Sequence, residues 1–221
     1  MSESGRPRVK VAVLVSGRGS NLQALLDACA DPSHPAEIVA VISNVPGAYA
    51  LERAEKAGVT TQVIDHKAYD GRPAFEDALN AALDEAGADL VCLAGFMRLL
   101  TDAFVDRWHD RMINIHPSLL PSFKGLHTHE RALEAGVRFH GCTVHFVRAD
   151  MDAGPIIAQA AVPVHPDDDA DALGARVLEA EHRLYPLALR LVAEGHARVS
   201  GQRVVITNHG APDSTVLNPA G

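Results

Sequence analysis

A doubly wound α/β fold with a mostly parallel sheet is what this 221-residue sequence predicts, and three observations carry the prediction. Short aliphatic runs recur through the first half, each closed by glycine or a polar turn, and each is followed by a stretch with helical spacing. Runs such as VKVAVLVSG and DLVCLAG are apolar at successive positions, which marks strands buried on both faces. Hydrophobic residues make up 47% of the chain, enough at this length for one continuous core, so a single domain over 1–221 is expected.

The first strand, Val9 to Gly17, hands over to a helix in NLQALLDACA, where Leu22, Leu25, Leu26 and Cys29 share a face. EIVAVIS, the helical ALERAEKAG ending at Gly58, TTQVID, a helix from about Pro73 to Gly87, and DLVCLAG repeat the alternation. After Gly95 come a helical TDAFVDRW, a strand RMINI and the loop HPSLLPSFKGLHTHE, whose prolines and glycine argue against regular structure. A loop of that length in a compact domain is usually functional. GCTVHFV and PIIAQAAVPV read as a strand pair around the turn RADMDAG, a C-terminal antiparallel extension of the sheet. A long helix from about Asp171 to Glu194 follows, with Pro186 expected to kink it. Beyond Gly201 one weak strand precedes a tail, about residues 207–221, expected to be mobile.

Charge and composition narrow the function. Twenty basic residues against 28 acidic ones give a net charge of −8, which disfavours a nucleic-acid partner. A small phosphorylated ligand stays open, because one nest of backbone N–H groups can hold a phosphate whatever the net charge. Cys29, Cys92 and Cys142 are scattered among apolar neighbours with no CxxC pair and read as reduced core residues. No window reaches the roughly 18 apolar residues of a membrane span. The start, MSESGRPRVK, lacks a signal peptide's apolar stretch, so a cytoplasmic location is expected.

Three segments could carry chemistry. SGRGSN, Ser16 to Asn21, sits where the first strand meets the first helix, and Gly19, Ser20 and Asn21 could present N–H groups and polar side chains to an anion. It matches neither GxGxxG nor the Walker pattern, and it could equally be a tight turn with Ser20 or Asn21 as helix cap. In INIHPSLLPSFKG, Asn114 and His116 alternate on a strand end and leave by one face. Two donors aimed at one oxygen suit acyl transfer, whose tetrahedral intermediate gains negative charge, and a histidine can also move protons. The alternative is a satisfied histidine capping the sheet. MDAGP, Met151 to Pro155, is either a plain hairpin turn or the source of a carboxylate, Asp152, at the sheet's carboxyl edge. There it would orient His116 and favour its protonated form.

Other features point to structure. His127 and His129 form an HxH pair that zinc could use with Asp152, but the pair lies in a loop after Gly125 and metal binding is not expected. Asp167 to Asp171 reads as a helix start favoured by the dipole, lacking the ligand spacing of a calcium loop. LAGFMRL leaves a buried strand and sets Phe96 and Met97 at its exit, as core or as a flat apolar slot for an aromatic ligand.

In combination these motifs resemble the glycinamide ribonucleotide formyltransferase family: SGRGSN-LQALLDA, LAGFMRLL, INIHPSLLPSFKGLHTHERAL, HGCTVHFV with MDAGPII, and EAEHRLYP, all in order. The similarity runs from about Val9 to Val199, which bounds the expected core, and it implies the Rossmann-like formyltransferase fold. It also implies transfer of a formyl group from 10-formyltetrahydrofolate, a co-substrate, to the amine of glycinamide ribonucleotide, without a metal. His116 would then be the acid–base residue, Asn114 would bind the formyl oxygen, and Asp152 would support the histidine. Gly19, Ser20 and Asn21 would hold the ribonucleotide phosphate, with Leu178, Glu179, Ala180 and Glu181 near the ribose and glycinamide end. The folate would lie against Met97, Arg98, Leu99, Leu100 and Asn114 and against the turn Arg148, Ala149, Asp150, Met151 and Asp152, with Arg72 near its glutamate tail. A homodimer is expected; the departures from the family pattern, a few extra residues before the first strand, an altered loop around Pro46 and Tyr49 and an extended tail, lie away from the catalytic positions.

Two related activities share the Asn-x-His-Pro core. A methionyl-tRNA formyltransferase would need a tRNA-binding domain that the roughly 20 residues after Val199 are not expected to supply. A formyltetrahydrofolate hydrolase would carry a regulatory domain before the first strand, here at Val9, and would lack the SGRGSN loop. A non-catalytic folate or nucleotide binder would be favoured by loss of Asn114, His116 or Asp152, and all three are present.

Overall fold

The computed structural model describes residues 7–208, 210 and 214–219. It divides into two compact units, residues 1–114 with 147–149, and residues 115–146 with 150–221.

The first unit is the predicted alternation of strand and helix. It contains β1 (Val9–Val15), α1 (Ser20–Cys29), β2 (Ala36–Ser43), α2 (Tyr49–Lys56), β3 (Thr60–Val63), a 3-10 turn at His66–Ala68, α3 (Arg72–Glu85), β4 (Leu90–Leu93), α4 (Asp102–Arg107) and the start of β5 (Met112–His116). β1 pairs in parallel with β2 and β4, β2 with β3, and β4 with β5. Val11 to Val15 have no exposed surface, which is why their sequence shows no alternation. One core gathers Leu14 and Ile42 from the strands with Leu79, Leu83 and Phe104 from the helices and Trp108 from the turn after α4. The Trp108 indole N–H, which burial would otherwise leave unsatisfied, donates to Asn80 Oδ1 at 3.0 Å.

The second unit holds the end of β5, α5 (Thr128–Glu134), β6 (Phe139–Phe146), β7 (Ile156–Pro163), α6 (Ala170–Ala193), β8 (Ala197–Ser200) and β9 (Arg203–Ile206). β6 and β7 pair antiparallel, as the strand pair around RADMDAG predicts. The strands follow the order β3-β2-β1-β4-β5-β6-β7 in a mostly parallel sheet, and β8 and β9 form a separate antiparallel ribbon. α6 runs unbroken through Pro186. Its acidic approach is a cap, since Asp169 Oδ1 accepts from the Ala172 N–H at 2.8 Å. Beside it Asp168 takes two hydrogen bonds from Arg176, which hold its carboxyl down at about 2.

Two local expectations need correction. The stretch HPSLLPSFKGLHTHE ends its irregular course at His127, and Thr128 already begins α5. Thr128 and Ala132, four apart, are the buried positions of this short helix, and so brief a period is masked by the prolines and glycine before it. The weak strand after Gly201 has a partner the sequence reading did not assign, residues 197–200, because four-residue strands carry almost no periodicity. In the tail the Asn218 side-chain amide donates to the Val164 carbonyl at 3.2 Å, whereas residues 209, 211–213 and 220–221, also covered by the expectation of mobility, lie outside the described residues. Among the described residues no helix is long and apolar enough to cross a membrane.

Candidate active site

Asn114 and His116 lie two residues apart on β5, so their side chains leave by the same face. His116 is buried, and both its ring nitrogens meet oxygen: Nδ1 is 3.5 Å from Asp152 Oδ2, and Nε2 is 3.0 Å from the Phe123 carbonyl. Asp152 reaches this position from a left-handed backbone, φ +51°, which aspartate tolerates better than most residues. Its Oδ2 also accepts the Gly125 N–H at 2.9 Å, and its Oδ1 lies 3.8 Å from Nε2 of the buried His145. The carboxylate therefore stands between two imidazoles and one backbone donor. Burial lowers the pKa of His145 and outweighs the opposing hydrogen bond to the Phe146 carbonyl and the pull of Asp152. An imidazole held by a carboxylate at Nδ1 can carry a proton and donate from Nε2 to an oxygen that gains charge.

The loop that supplies the Phe123 carbonyl is itself fastened by side chains that sequence reasoning missed. Thr143 of β6 is fully buried; its hydroxyl donates to the Ser118 carbonyl at 2.7 Å and accepts the Leu120 N–H at 3.1 Å. Gln159, its register partner on β7, donates to the Leu120 carbonyl at 2.9 Å and to Thr143 Oγ1 at 3.0 Å. Ser118 Oγ closes the turn by donating to the Ser122 carbonyl at 2.6 Å. The available signal was Gln159 alone among the apolar residues of β7, and Thr143 between Cys142 and Val144 of β6.

Below this loop His129 Nδ1 lies 3.2 Å from His140 Nε2. Burial, then the charges of His129 and His116, push the His140 pKa down to about 4, and burial lowers that of His129 as well. The HxH pair thus diverges, with His129 turned to His140 and the exposed His127 facing Glu130 at 3.4 Å. The Cys142 thiol is pushed up to about 12 by burial and by the Glu181 carboxylate, in keeping with a reduced core residue. Glu181 is buried on α6, Leu178 and Ala180 are half-buried, and Glu179 is exposed. Among the described residues no group of three or more His, Cys, Asp or Glu side chains is arranged to hold a metal ion.

In the first unit the SGRGSN turn is built by its backbone. Gly19 adopts φ +71° and is the N-cap of α1, so Ser20 and Asn21 occupy the first helical turn and do not cap it. A Cβ on Gly19 would stand 2.6 Å from Ala50 Cβ, so both conformation and space demand glycine. By helix geometry the first-turn N–H groups point out of the α1 N-terminus, the orientation an anion needs. Separate anchors hold the turn: the Ala50 N–H donates to the Gly17 carbonyl at 3.1 Å, and Arg53 Nε to the Arg18 carbonyl at 2.9 Å.

The remaining predicted positions are mostly accessible. Met97, Arg98 and Leu99 are exposed after β4, while Phe96 and Leu100 are partly buried against the core. Arg72 is exposed in the first turn of α3. Ala149, Asp150 and Met151 are exposed, whereas Arg148 is committed to Asp110 at 2.5 Å and to the Val147 carbonyl at 2.9 Å.

Residues 9–189 match the formyl transferase family. The chain is 46% identical to the phosphoribosylglycinamide formyltransferase of Escherichia coli, over 86% of this chain and 90% of that protein. It is 55% identical over 87% of its length to the trifunctional purine biosynthetic protein adenosine-3 of Bos taurus, of which it spans 19%. The crystal structure of glycinamide ribonucleotide transformylase 1 from Symbiobacterium toebii superposes with a TM-score of 0.89 at 48% identity, covering 93% of this chain and 99% of that one.

Proposed function

The chain belongs to the formyl transferase family, and from that premise we propose that it transfers the formyl group of 10-formyltetrahydrofolate to the amine of 5'-phosphoribosylglycinamide, in line with the bacterial relatives named phosphoribosylglycinamide formyltransferase. The observation that carries the reading is the His116–Asp152 contact at 3.5 Å, with Asn114 two residues away on the same strand. A carboxylate-oriented imidazole on the same strand as a carboxamide suits attack of an amine on a formyl carbon.

In this reading the amine nitrogen bonds to the formyl carbon, and the Asn114 amide and His116 donate to the oxygen as it gains charge. As the tetrahedral carbon collapses, its bond to the folate nitrogen breaks. That nitrogen takes up a proton by way of His116 while the attacking nitrogen gives one up, so the exchange balances. Asp152 holds the ring through Nδ1, which removes the cost of orienting it during the reaction, and Nε2 exchanges the Phe123 carbonyl for the substrate atoms to which it donates. Gly19, Ser20 and Asn21 bind the phosphate, and Glu181, flanked by Leu178, Glu179 and Ala180, meets the ribose and glycinamide end. Met97 to Leu100 and Arg148 to Asp152 take the folate, and Arg72 its glutamate tail. The reading carries two further expectations, a cytoplasmic location and a homodimer, which fractionation and sedimentation velocity test.

The decisive assay follows the folate absorbance change with purified protein, with and without glycinamide ribonucleotide. Turnover is expected only with the amine present. Amine-independent turnover would make the chain a hydrolase, and none at all would leave it a binder.

A further inference from the structure

Residues 95–100 follow β4 without regular structure, and among the described residues none of their backbone groups bonds to another backbone group. Left to itself such a segment would sample many conformers, because fixing a residue's backbone costs about 1–2 kcal/mol. This one is fastened at both ends by side chains. At its head the Met97 N–H donates to Ser16 Oγ at 2.8 Å. Just past its tail the buried Glu76 accepts the Thr101 N–H at 2.8 Å on Oε1 and the Thr101 hydroxyl on Oε2. Between these points Phe96 and Leu100 are tucked against the core, while Met97 and Leu99 stand 64% and 65% exposed. Two large apolar side chains held outward on a tethered strip make a preformed surface.

Ser16 is also the first residue of the SGRGSN turn. Its hydroxyl donates to Asn44 Oδ1 at 2.5 Å, and Asn44 is buried with its carbonyl 3.0 Å from His66 Nδ1. With its proton committed to Asn44, the Ser16 oxygen has a lone pair to accept from Met97. One hydroxyl therefore ties the exits of β1, β2 and β4 together.

We infer that Ser16 is a positioning residue for the folate donor: through its hydroxyl it sets the Met97–Leu100 strip in place before the ligand arrives, with Glu76 holding the far end. The inference rests on the proposed function, in which this strip meets the folate. The phosphate turn has its own anchors on Gly17 and Arg18, so loosening the strip should leave ribonucleotide affinity almost untouched.

The test compares wild type, Ser16→Ala and Ser16→Thr. Hydrogen–deuterium exchange of the unliganded proteins reads the strip directly, calorimetry with 5-formyltetrahydrofolate reads folate binding, and steady-state kinetics separates the two KM values from turnover. Ser16→Ala should exchange faster at the Met97 amide, bind the probe about tenfold more weakly and raise the folate KM by the same factor. The ribonucleotide KM should move less than about twofold, and the loss should fall on KM more than on turnover. Ser16→Thr, which keeps the hydroxyl, should restore wild-type exchange and affinity. Unchanged exchange and folate affinity in Ser16→Ala, with an active wild type, would overturn the positioning role alone. A wild type that neither binds the probe nor turns over would overturn the functional reading and this inference with it.

Discussion

The two units keep their candidate residues in place by different means. In the first, the turn at Ser16–Asn21 is set by one glycine at φ +71° pressed against Ala50 and by carbonyls that neighbouring groups hold. In the second, His116 is set by side chains and backbone groups gathered from a loop, a turn and two strands: Phe123, Gly125, His145 and Asp152, with Thr143 and Gln159 behind the loop. A site made of backbone should fail when bulk is added. One made of side chains should fail when a charge or a donor is removed, with the fold intact.

The largest effect should come from Asp152→Asn. Asparagine tolerates the left-handed backbone, and its carbonyl oxygen can still accept the Gly125 N–H, so the turn should survive. The negative charge beside His116 is lost. Turnover should drop by about 10²–10⁴-fold, the usual worth of positioned acid–base catalysis, with the thermal midpoint shifted by no more than a few degrees and ribonucleotide still bound. Near-normal turnover in this variant would dissolve the contrast, because the second unit would then tolerate loss of its central charge.

Gly19→Ala should act the other way. The added Cβ meets Ala50 at 2.6 Å, and the backbone is held where an L side chain is strained. Stability should fall by about 1–3 kcal/mol in denaturant titration. The ribonucleotide KM should rise about tenfold or more, while turnover at saturation changes far less. A stability loss with an unchanged KM would assign Gly19 to folding alone.

The same difference explains what could be read from the sequence. Consecutive buried residues in Val11–Val15 and the helical spacing of Leu22, Leu25 and Leu26 are short-range signals, and they give the strand–helix alternation directly. Gly19 likewise sits in a recognisable strand-to-helix turn. Asp152 and His116 are 36 residues apart in the chain, and no periodicity links them; the parallel topology allowed both at the sheet's carboxyl edge, and the resemblance gave them their roles. Thr143 and Gln159 were missed because a threonine and a glutamine in apolar strands look the same in sequence whether they face solvent or brace a loop. Fully buried Thr143 shows that it braces one.

The smallest predicted effect tests the histidine pair of the second unit. His140 titrates near 4 in the folded protein, against the ordinary 6.5, and the His129 pKa is also lowered. The groups facing His140 that bear on this are His129 at 3.2 Å, the charge of His116, and the Pro117 carbonyl, which alone favours the cation. Because the folded value lies below the unfolded one, the unfolded chain takes up its proton first as pH falls. The neutral pair's contribution is therefore complete above about pH 6.5, drains away between about 6.5 and 4, and changes little below that. Protonating both rings would place two like charges 3.2 Å apart in a buried site. The wild-type melting temperature should fall by a few degrees between pH 7 and pH 4.5 beyond what His140→Gln shows over the same interval. The variant can start from a lower midpoint without affecting the test, since the slope with pH is what is compared. Equal slopes would mean that the pair does not link acid to the stability of this unit, and that its contribution is packing alone.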